Sequence, residues 1–545
     1  MEADLILCNG RVYTMDKEVP LAEAVAVRGG RMMAVGDNAA IRALAGAETE
    51  VLDVAGCVVL PGFTDAHIHL VHYGLSLTQV QLDGVTSLQE AVARVAERAQ
   101  RAKPGEWIRG WGWNRNLWPG APFPTKWDLD PVTPHNPVYL YSKDGHAAWV
   151  NSLALQLAGI NADTPDPPGA QLERDAQTGE PTGLLKEDGA MKMVERVAGP
   201  VSLSEKIAAV HAAVEQLHRL GIVGVHVPEE AHDLRAVQEV WLKGELNLRV
   251  NMMIPAEHLD NALQLGLCRG FGDEFLRLCA VKAFADGSLG TRSADMFTPY
   301  EGEPGNRGIE VTSTVRLSAW VADCTQGGWN IAIHAIGDRA NCRALDALEE
   351  HWQEWSRLGL RPRIEHVQLI SPQDLPRLGA MGVVASMQPI HCTSDMLMAD
   401  RYWGARCSWA YAWRSLRDSG AVLAFGSDAP VETPDVLRGI FAAVTRQRED
   451  GTPPGGWYPE QCLTVPEAVY AYTMGAAYAS GEECSKGSLS VGKLADMVVL
   501  SGDIFDLPPQ EILHTRVEMT ILEGEVVYDG KGAVNEWKKN QRMPP

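Results

Sequence analysis

The stretch PGFTDAHIHL, residues 61–70, sets two histidines, His67 and His69, one residue apart just beyond an apolar run. That run, Cys57-Val58-Val59-Leu60, reads as a buried strand. Histidines at a strand's end are either packing residues or the first two ligands of a metal. The choice depends on what other strands bring to the same place.

Further strand-like runs fall at residues 221–227, 248–254, 278–284, 329–334, 363–368, 383–388 and 421–426, making eight with the first. Helical patterns separate them at 230–243, 256–267, 314–325, 338–358, 372–378 and 434–448. Ser371-Pro372 and Thr433-Pro434 look like helix starts, a hydroxyl at the N-cap and proline in the first turn. Alternation of this kind predicts an α/β fold, a (β/α)8 TIM-type barrel with its reactive groups at the C-terminal strand ends. The chain ends are different. Ala3–Leu7 leads through the Asn9-Gly10 turn signal to Arg11–Met15, and Gly29-Gly30 separates two more short apolar runs. Similar runs recur at 495–500, 518–522 and 525–528. A small β-sandwich built from both termini is expected, residues 1–60 with 485–535, around a barrel spanning 61–484. The long interval after strand one, about 75–205, holds Trp107, Trp111, Trp113, Trp118, Trp127 and Trp149, and is expected to be an insertion over the barrel mouth.

Bulk composition narrows the partners. Acidic residues number 70 against 48 basic, a formal charge of −22, which repels nucleic acid and anionic membrane surfaces. No apolar run approaches the ~20 residues that span a bilayer. The acidic N-terminus lacks a signal peptide's basic region, and the ten scattered cysteines form no CxxC pair. These features point to a cytoplasmic protein with free thiols, acting on a small molecule, with a homodimer as a candidate assembly.

The strand ends carry chemistry. Beside His67 and His69 stand Lys282 in the fourth strand, His334 ending the fifth, His366 ending the sixth and Asp428 after the eighth. One buried histidine is ordinary, but four with a lysine and an aspartate on five strands are a site. Neutral imidazoles suit one or two divalent ions such as zinc, which activate water as hydroxide, and Asp428 suits the proton transfers as general base and acid. Lys282 in an apolar strand is costly to keep charged unless paired or modified.

These residues resemble the amidohydrolase superfamily. PGFTDAHIH, VKAFADGSLGTRSA, HAIGDRA, IEHVQL and GSDAPVETPD are similar to its YtcJ-like branch, amidohydrolase family 3, and GSLSVGKLADMVVLSGD to the family's closing stretch. The resemblance implies a metal-dependent amidohydrolase cleaving C–N bonds, usually with zinc. His67, His69 and Asp428 would hold the more buried ion, His334 and His366 a second, and Lys282, carbamylated, would bridge them. Metal count and identity stay open.

Substrate contacts are expected from Trp111, Trp113, His146, Asp286, Gln388 and His391, with Glu187 a weaker candidate at the mouth. An aromatic wall favours an apolar or aromatic N-substituted amide, a formamide or an N-acyl compound. Arg292 and Arg406 are available for a carboxylate. His72, His226, His258 and His351 read as structural or exposed. The alternatives are a ring deaminase using the same chemistry, and a non-catalytic binding or regulatory member.

Overall fold

Eight parallel strands form one sheet: β1 (Phe63–Asp65), β2 (Ile222–Val227), β3 (Arg249–Pro255), β4 (Leu276–Phe284), β5 (Asn330–Ala335), β6 (Arg363–His366), β7 (Val384–Met387) and β8 (Leu423–Phe425). The computed structural model describes residues 1–143, 147–167, 170–199 and 201–530. Strands buried on both faces need continuous apolar runs, and β2, reading IVGVHV, is buried at every position. Each strand pairs with the next in chain order. Across the seam, the Ala66 N–H donates to Phe425 O at 2.9 Å and the Ser427 N–H to Asp65 Oδ1 at 3.0 Å. The fold is a TIM-type barrel.

Helices connect the strands, among them Ala231–Leu242, Thr314–Gly327, Asp338–Glu350, Leu375–Met381 and Val436–Thr445. The span expected as one helix over 338–358 breaks at His351 and resumes as Trp352–Arg357. Two expected caps move inward. The helices start after Asp374 and Asp435, and the Asp435 carboxylate accepts from the N–H groups of Leu437 and Arg438 in place of Thr433. A carboxylate there also complements the helix dipole, so it outcompetes a hydroxyl two residues earlier.

The apolar run before the two histidines is not the first barrel strand. Val58–Pro61 belongs to a six-stranded sheet, between Arg11–Tyr13 and Met497–Leu500, and β1 is the three-residue strand beyond Gly62. That sheet also contains Leu21–Ala22, Val517–Leu522 and Glu525–Asp529, so it draws strands from both ends of the chain. A four-stranded sheet holds Leu5–Cys8, Ala24–Arg28, Arg31–Gly36 and Glu50–Asp53. Asn9-Gly10 therefore makes no hairpin. The chain crosses there from one sheet to the other, with Asn9 at φ 57°. The Gly29-Gly30 turn does join two antiparallel strands. One apolar core, including Leu7, Val27, Val59, Met497 and Ile521, is shared by both sheets. Arg249 at the start of β3 reaches Asp496 through two hydrogen bonds, 2.6 and 2.9 Å, with both side chains buried.

Residues Val71–Ala213 form a second compact unit. Its six-stranded mixed sheet runs from Gln171–Arg174 through Pro181–Lys186, Ala147–Val150, Val138–Ser142 and Ile108–Trp113 to Val80–Gln81. Tryptophans are its core. Trp113, Trp118 and Trp149 are buried together, and each indole N–H donates to a backbone carbonyl, of Leu140, Val85 and Thr125 respectively.

Candidate metal centre

The barrel register explains why separated residues meet. In the parallel ladder Phe284 pairs with His334, and Ala335 with His366, so the ends of β4, β5 and β6 lie side by side. His67 and His69 follow β1, and Asp428 follows β8 across the seam, where its N–H donates to His67 O at 2.7 Å. The rings of His67 and His366 lie 4.9 Å apart and those of His334 and His366 4.5 Å apart. Asp428 Oδ1 is 3.5 Å from His67 Nε2 and 3.3 Å from His69 Nε2, while Oδ2 is 3.2 Å from His391 Nε2. The donor atoms of His67, His69 and Asp428 lie within 4.8 Å of one another, and so do those of His366, His391 and Asp428.

Backbone strain concentrates at the same place. His366 has φ 75°, Val367 42° and Asp428 62°, left-handed conformations that cost non-glycine residues on the order of 1–3 kcal/mol each. Both His366 and Asp428 are aimed inward by this unfavourable backbone.

The electrostatics suit a cation. Burial, with Lys282 nearby, lowers His67 to about 4 and His334 to about 3, and burial beside two other imidazoles holds His366 well below its ordinary value. These rings are neutral at physiological pH and keep a lone pair. Asp428 is buried, which alone would raise its pKa, but hydrogen bonds from His391 and His69 hold it far down as a carboxylate. Burial would lower His391 too, yet Asp428 lifts it to about 9. Burial pulls Lys282 down to about 8, against the attraction of Glu365 and Asp428, and its Nζ stands 4.9 Å from the Phe284 ring centre.

Hydrogen bonds assign the ring nitrogens. His67 Nδ1 lies 2.5 Å from Glu365 Oε2, His366 Nδ1 lies 2.8 Å from Gln388 Oε1, and His334 Nε2 lies 3.0 Å from Gly287 O. With those nitrogens as donors, Nε2 of His67, Nε2 of His366 and Nδ1 of His334 are left as lone-pair donors. Neutral imidazole nitrogens around an ionised carboxylate are the donor set a borderline divalent ion takes.

Residues not singled out in the sequence surround this set. Arg363 Nε and Nη2 meet Glu365 Oε1 and Oε2 at 2.5 and 3.0 Å, both side chains fully buried. Arg363 also reaches Ala66 O, Ser386 Oγ and His226 Nδ1. Their signal was present in RIEH, because alternate residues of a strand share a face and Arg363 and Glu365 are opposite charges two apart. His226 is buried within this network. Asp65 ties the seam, its Oδ1 accepting from the His67 and Ser427 N–H groups at 3.0 Å each.

Several expected substrate contacts are placed differently. Asp286 is turned into its own loop, accepting backbone N–H groups from Asp295, Ile336 and Gly337 at 2.8, 3.0 and 2.8 Å. A short carboxylate amid unpaired loop amides serves the backbone first. Trp113 lies in the second unit's own core. Trp111, in the same unit, is partly buried with the Lys143 ammonium 5.5 Å from its ring centre, and Glu187 opens the helix Glu187–Ala198 at φ 65°. Gln388 gives its carbonyl oxygen to His366, and among the described residues its buried Nε2 has no partner. Arg406 is spent on the carbonyls of Thr298, Pro299, Tyr402 and Trp403, and Arg292 on Glu303. His391 does face the centre. His146 lies outside the described residues.

Known proteins resemble this chain over nearly its whole length. A family model described as the amidohydrolase family matches residues 50–528. The chain is 36% identical over 96% of its length to Protein LONG AFTER FAR-RED 3 of Arabidopsis thaliana, covering 92% of that protein. It is 33% identical to YtcJ of Bacillus subtilis (strain 168), with 96% of this chain and 98% of that protein covered. An N-substituted formamide deformylase of Arthrobacter pascens is 28% identical, with 97% and 99% covered. Among solved structures, an uncharacterized metal-dependent hydrolase from Pyrococcus horikoshii OT3 superposes with a TM-score of 0.77 at 29% identity, covering 93% of this chain and 99% of that one.

Proposed function

This chain belongs to the amidohydrolase family, as a hydrolase of carbon–nitrogen bonds, and from that premise we propose that it cleaves N-substituted amides, formamides and N-acyl compounds foremost. The observation that carries the reading is the convergence of three neutral imidazoles on an ionised, strained aspartate at the barrel's strand ends. The likeness to a formamide deformylase supports the substrate class.

His67, His69 and Asp428 would hold one divalent ion, and His334 with His366 a second, zinc being the ion that imidazole and carboxylate donors favour. When bound, such an ion polarises a carbonyl and makes water a usable nucleophile near neutral pH. Asp428 accepts the proton released from that water and passes it to the departing nitrogen, so the products are a carboxylic acid and an amine. His391 steadies this carboxylate by holding Oδ2, while Oδ1 faces His67 and His69. Lys282, with its affinity for a proton lowered by burial, supplies free amine that adds to carbon dioxide with loss of a proton. Such a carbamate would offer anionic oxygen donors to metal held by these residues.

The domain limits in this reading are residues 1–60 with 485–535 for a sandwich, supported by the shared apolar core, 61–484 for the barrel and about 75–205 for the insertion.

The test is metal content of the purified chain, followed by a screen of N-substituted formamides, N-acyl amines and amino acids, and cyclic amides. Amine and carboxylate should appear together, and a chelator should abolish turnover until metal is restored. Ammonia released from ring substrates alone, or a folded metal-loaded protein inert on every acyclic amide, would refute the assignment.

A further inference from the structure

The three ring nitrogens that face away from the candidate metal positions have unequal partners. His366 leans on the amide oxygen of Gln388 at 2.8 Å, and His334 on the backbone oxygen of Gly287 at 3.0 Å. His67 alone of the three is hydrogen-bonded to a carboxylate, Glu365, at 2.5 Å; the carboxylate beside His334 Nε2, Asp286 Oδ1, stands off at 3.6 Å and is engaged by loop N–H groups. We propose that Glu365, held ionised by Arg363, is the positioning residue that makes the His67 end of the centre its tighter metal position. The proposal rests on the metal-centre reading above and assigns the affinity order within it.

A charged acceptor orients an imidazole more firmly than a neutral one and makes its other nitrogen a stronger donor. That gain needs the carboxylate to stay charged where it is fully buried, which water cannot support there. Arg363 supplies the countercharge through two hydrogen bonds. Its Nη2 also lies 2.5 Å from Ala66 O and 2.6 Å from Ser386 Oγ, which share its second N–H, and Nη1 lies 2.8 Å from His226 Nδ1. Ala66 immediately precedes His67, so one ion pair fixes both the ring of His67 and the backbone that carries it.

A purely structural role accounts poorly for this pair. Exchanging a buried ion pair for apolar groups of similar volume is often neutral or stabilising, whereas removing one partner is costly. Here the pair sits inside the barrel, touching groups from β2 and β7 and the end of β1, and of the two rings it meets, His226 and His67, the one held by its carboxylate is a candidate ligand.

The experiment is zinc titration of the metal-stripped full chain against a chromophoric chelator, for the wild type, Glu365→Gln and the double variant Arg363→Met with Glu365→Gln. The double variant leaves no orphaned charge and keeps a neutral acceptor for His67. Metal-free melting temperatures report folding independently of metal. The tightest zinc class should weaken about 10- to 100-fold in both variants, with weaker binding unchanged, while Gln388→Leu should disturb a weaker class instead. If the wild type binds no zinc, the metal-centre reading itself fails. If the wild type binds and both variants match it, or lose only weaker binding, this proposal fails and the centre stands. If neither variant folds, the pair is a structural element and the proposal is overturned.

Discussion

Gly426 sits where the barrel closes, and replacing it with alanine should damage the centre without removing a candidate ligand. A Cβ at 426 would lie 2.4 Å from His67 N, 2.6 Å from Asp65 Oδ1 and 3.1 Å from His67 Cα. Ordinary contact begins near 3.4 Å, so β1 and β8 must part by about 1 Å at their C-terminal ends. Hydrogen bonds that span or brace that seam include those of His67 N–H and Ser427 N–H to Asp65, Ala66 N–H to Phe425 O and Asp428 N–H to His67 O. Overpacking of this kind costs about 1–3 kcal/mol of stability. The larger effect should be on catalysis, because Asp428 moves relative to His67, and a misplacement of about 1 Å costs on the order of 100-fold in rate. The assay is kcat/KM on the best amide from the screen, with melting temperature and metal content measured in parallel. Gly305→Ala, whose Cβ meets nothing within 4 Å, is the control. Activity within twofold of wild type and an unchanged melting temperature in Gly426→Ala would show that the seam does not set the geometry of the centre.

Asp428→Asn keeps the shape of the side chain but accepts no proton, so turnover should fall about 10²- to 10⁴-fold, and raising the pH should not restore it. Asp496→Asn removes the carboxylate that holds the buried Arg249 guanidinium through two hydrogen bonds and leaves it Glu523 Oε1 at 3.4 Å, and denaturant unfolding should show a loss of up to about 3–5 kcal/mol. The Glu467 carboxyl would be raised by burial alone, yet Arg414 and the Thr464 cap hold it at about 2. Its stabilising contribution is therefore complete above the unfolded value of 4.5 and fades as pH falls through 2. The stability gap between wild type and Glu467→Gln should be widest at neutral pH and close on acidification, and a gap independent of pH would contradict this.

The barrel was legible because its strands are long apolar runs ending in residues that have no business in a core. Lys282, His334 and His366 mark the C-terminal ends of β4, β5 and β6 in that way. β1 was not, because three residues, Phe63–Asp65, are too few to show a period, and the stronger run before Gly62 drew the eye. Asn9-Gly10 misled for a related reason: a turn signal fixes local backbone but not which sheet the next strand joins. Asp286 is turned to loop amides: a strand-end position says where a residue stands, not which backbone groups it serves. The Arg363–Glu365 pair lay in plain view, but its meaning depends on Ala66, His226 and Ser386, more than 130 residues distant in two cases and about 20 in the third. Trp113 shows the limit of composition, since an indole can line a pocket or fill a core and only packing decides.

The strand Val58–Pro61 pairs antiparallel with Met497–Leu500, roughly 440 residues further along the chain. At about 5–20 residues per second, the first partner is made tens of seconds before the second exists. Throughout that interval one edge of an apolar strand stands open, and β1 next to it has no β8 to close against. An exposed strand edge is a template for wrong pairing. The pairing that completes the six-stranded terminal sheet is thus also a delay built into synthesis, and yield in rapid expression should depend on what shelters residues 58–61 until the C-terminal strands arrive.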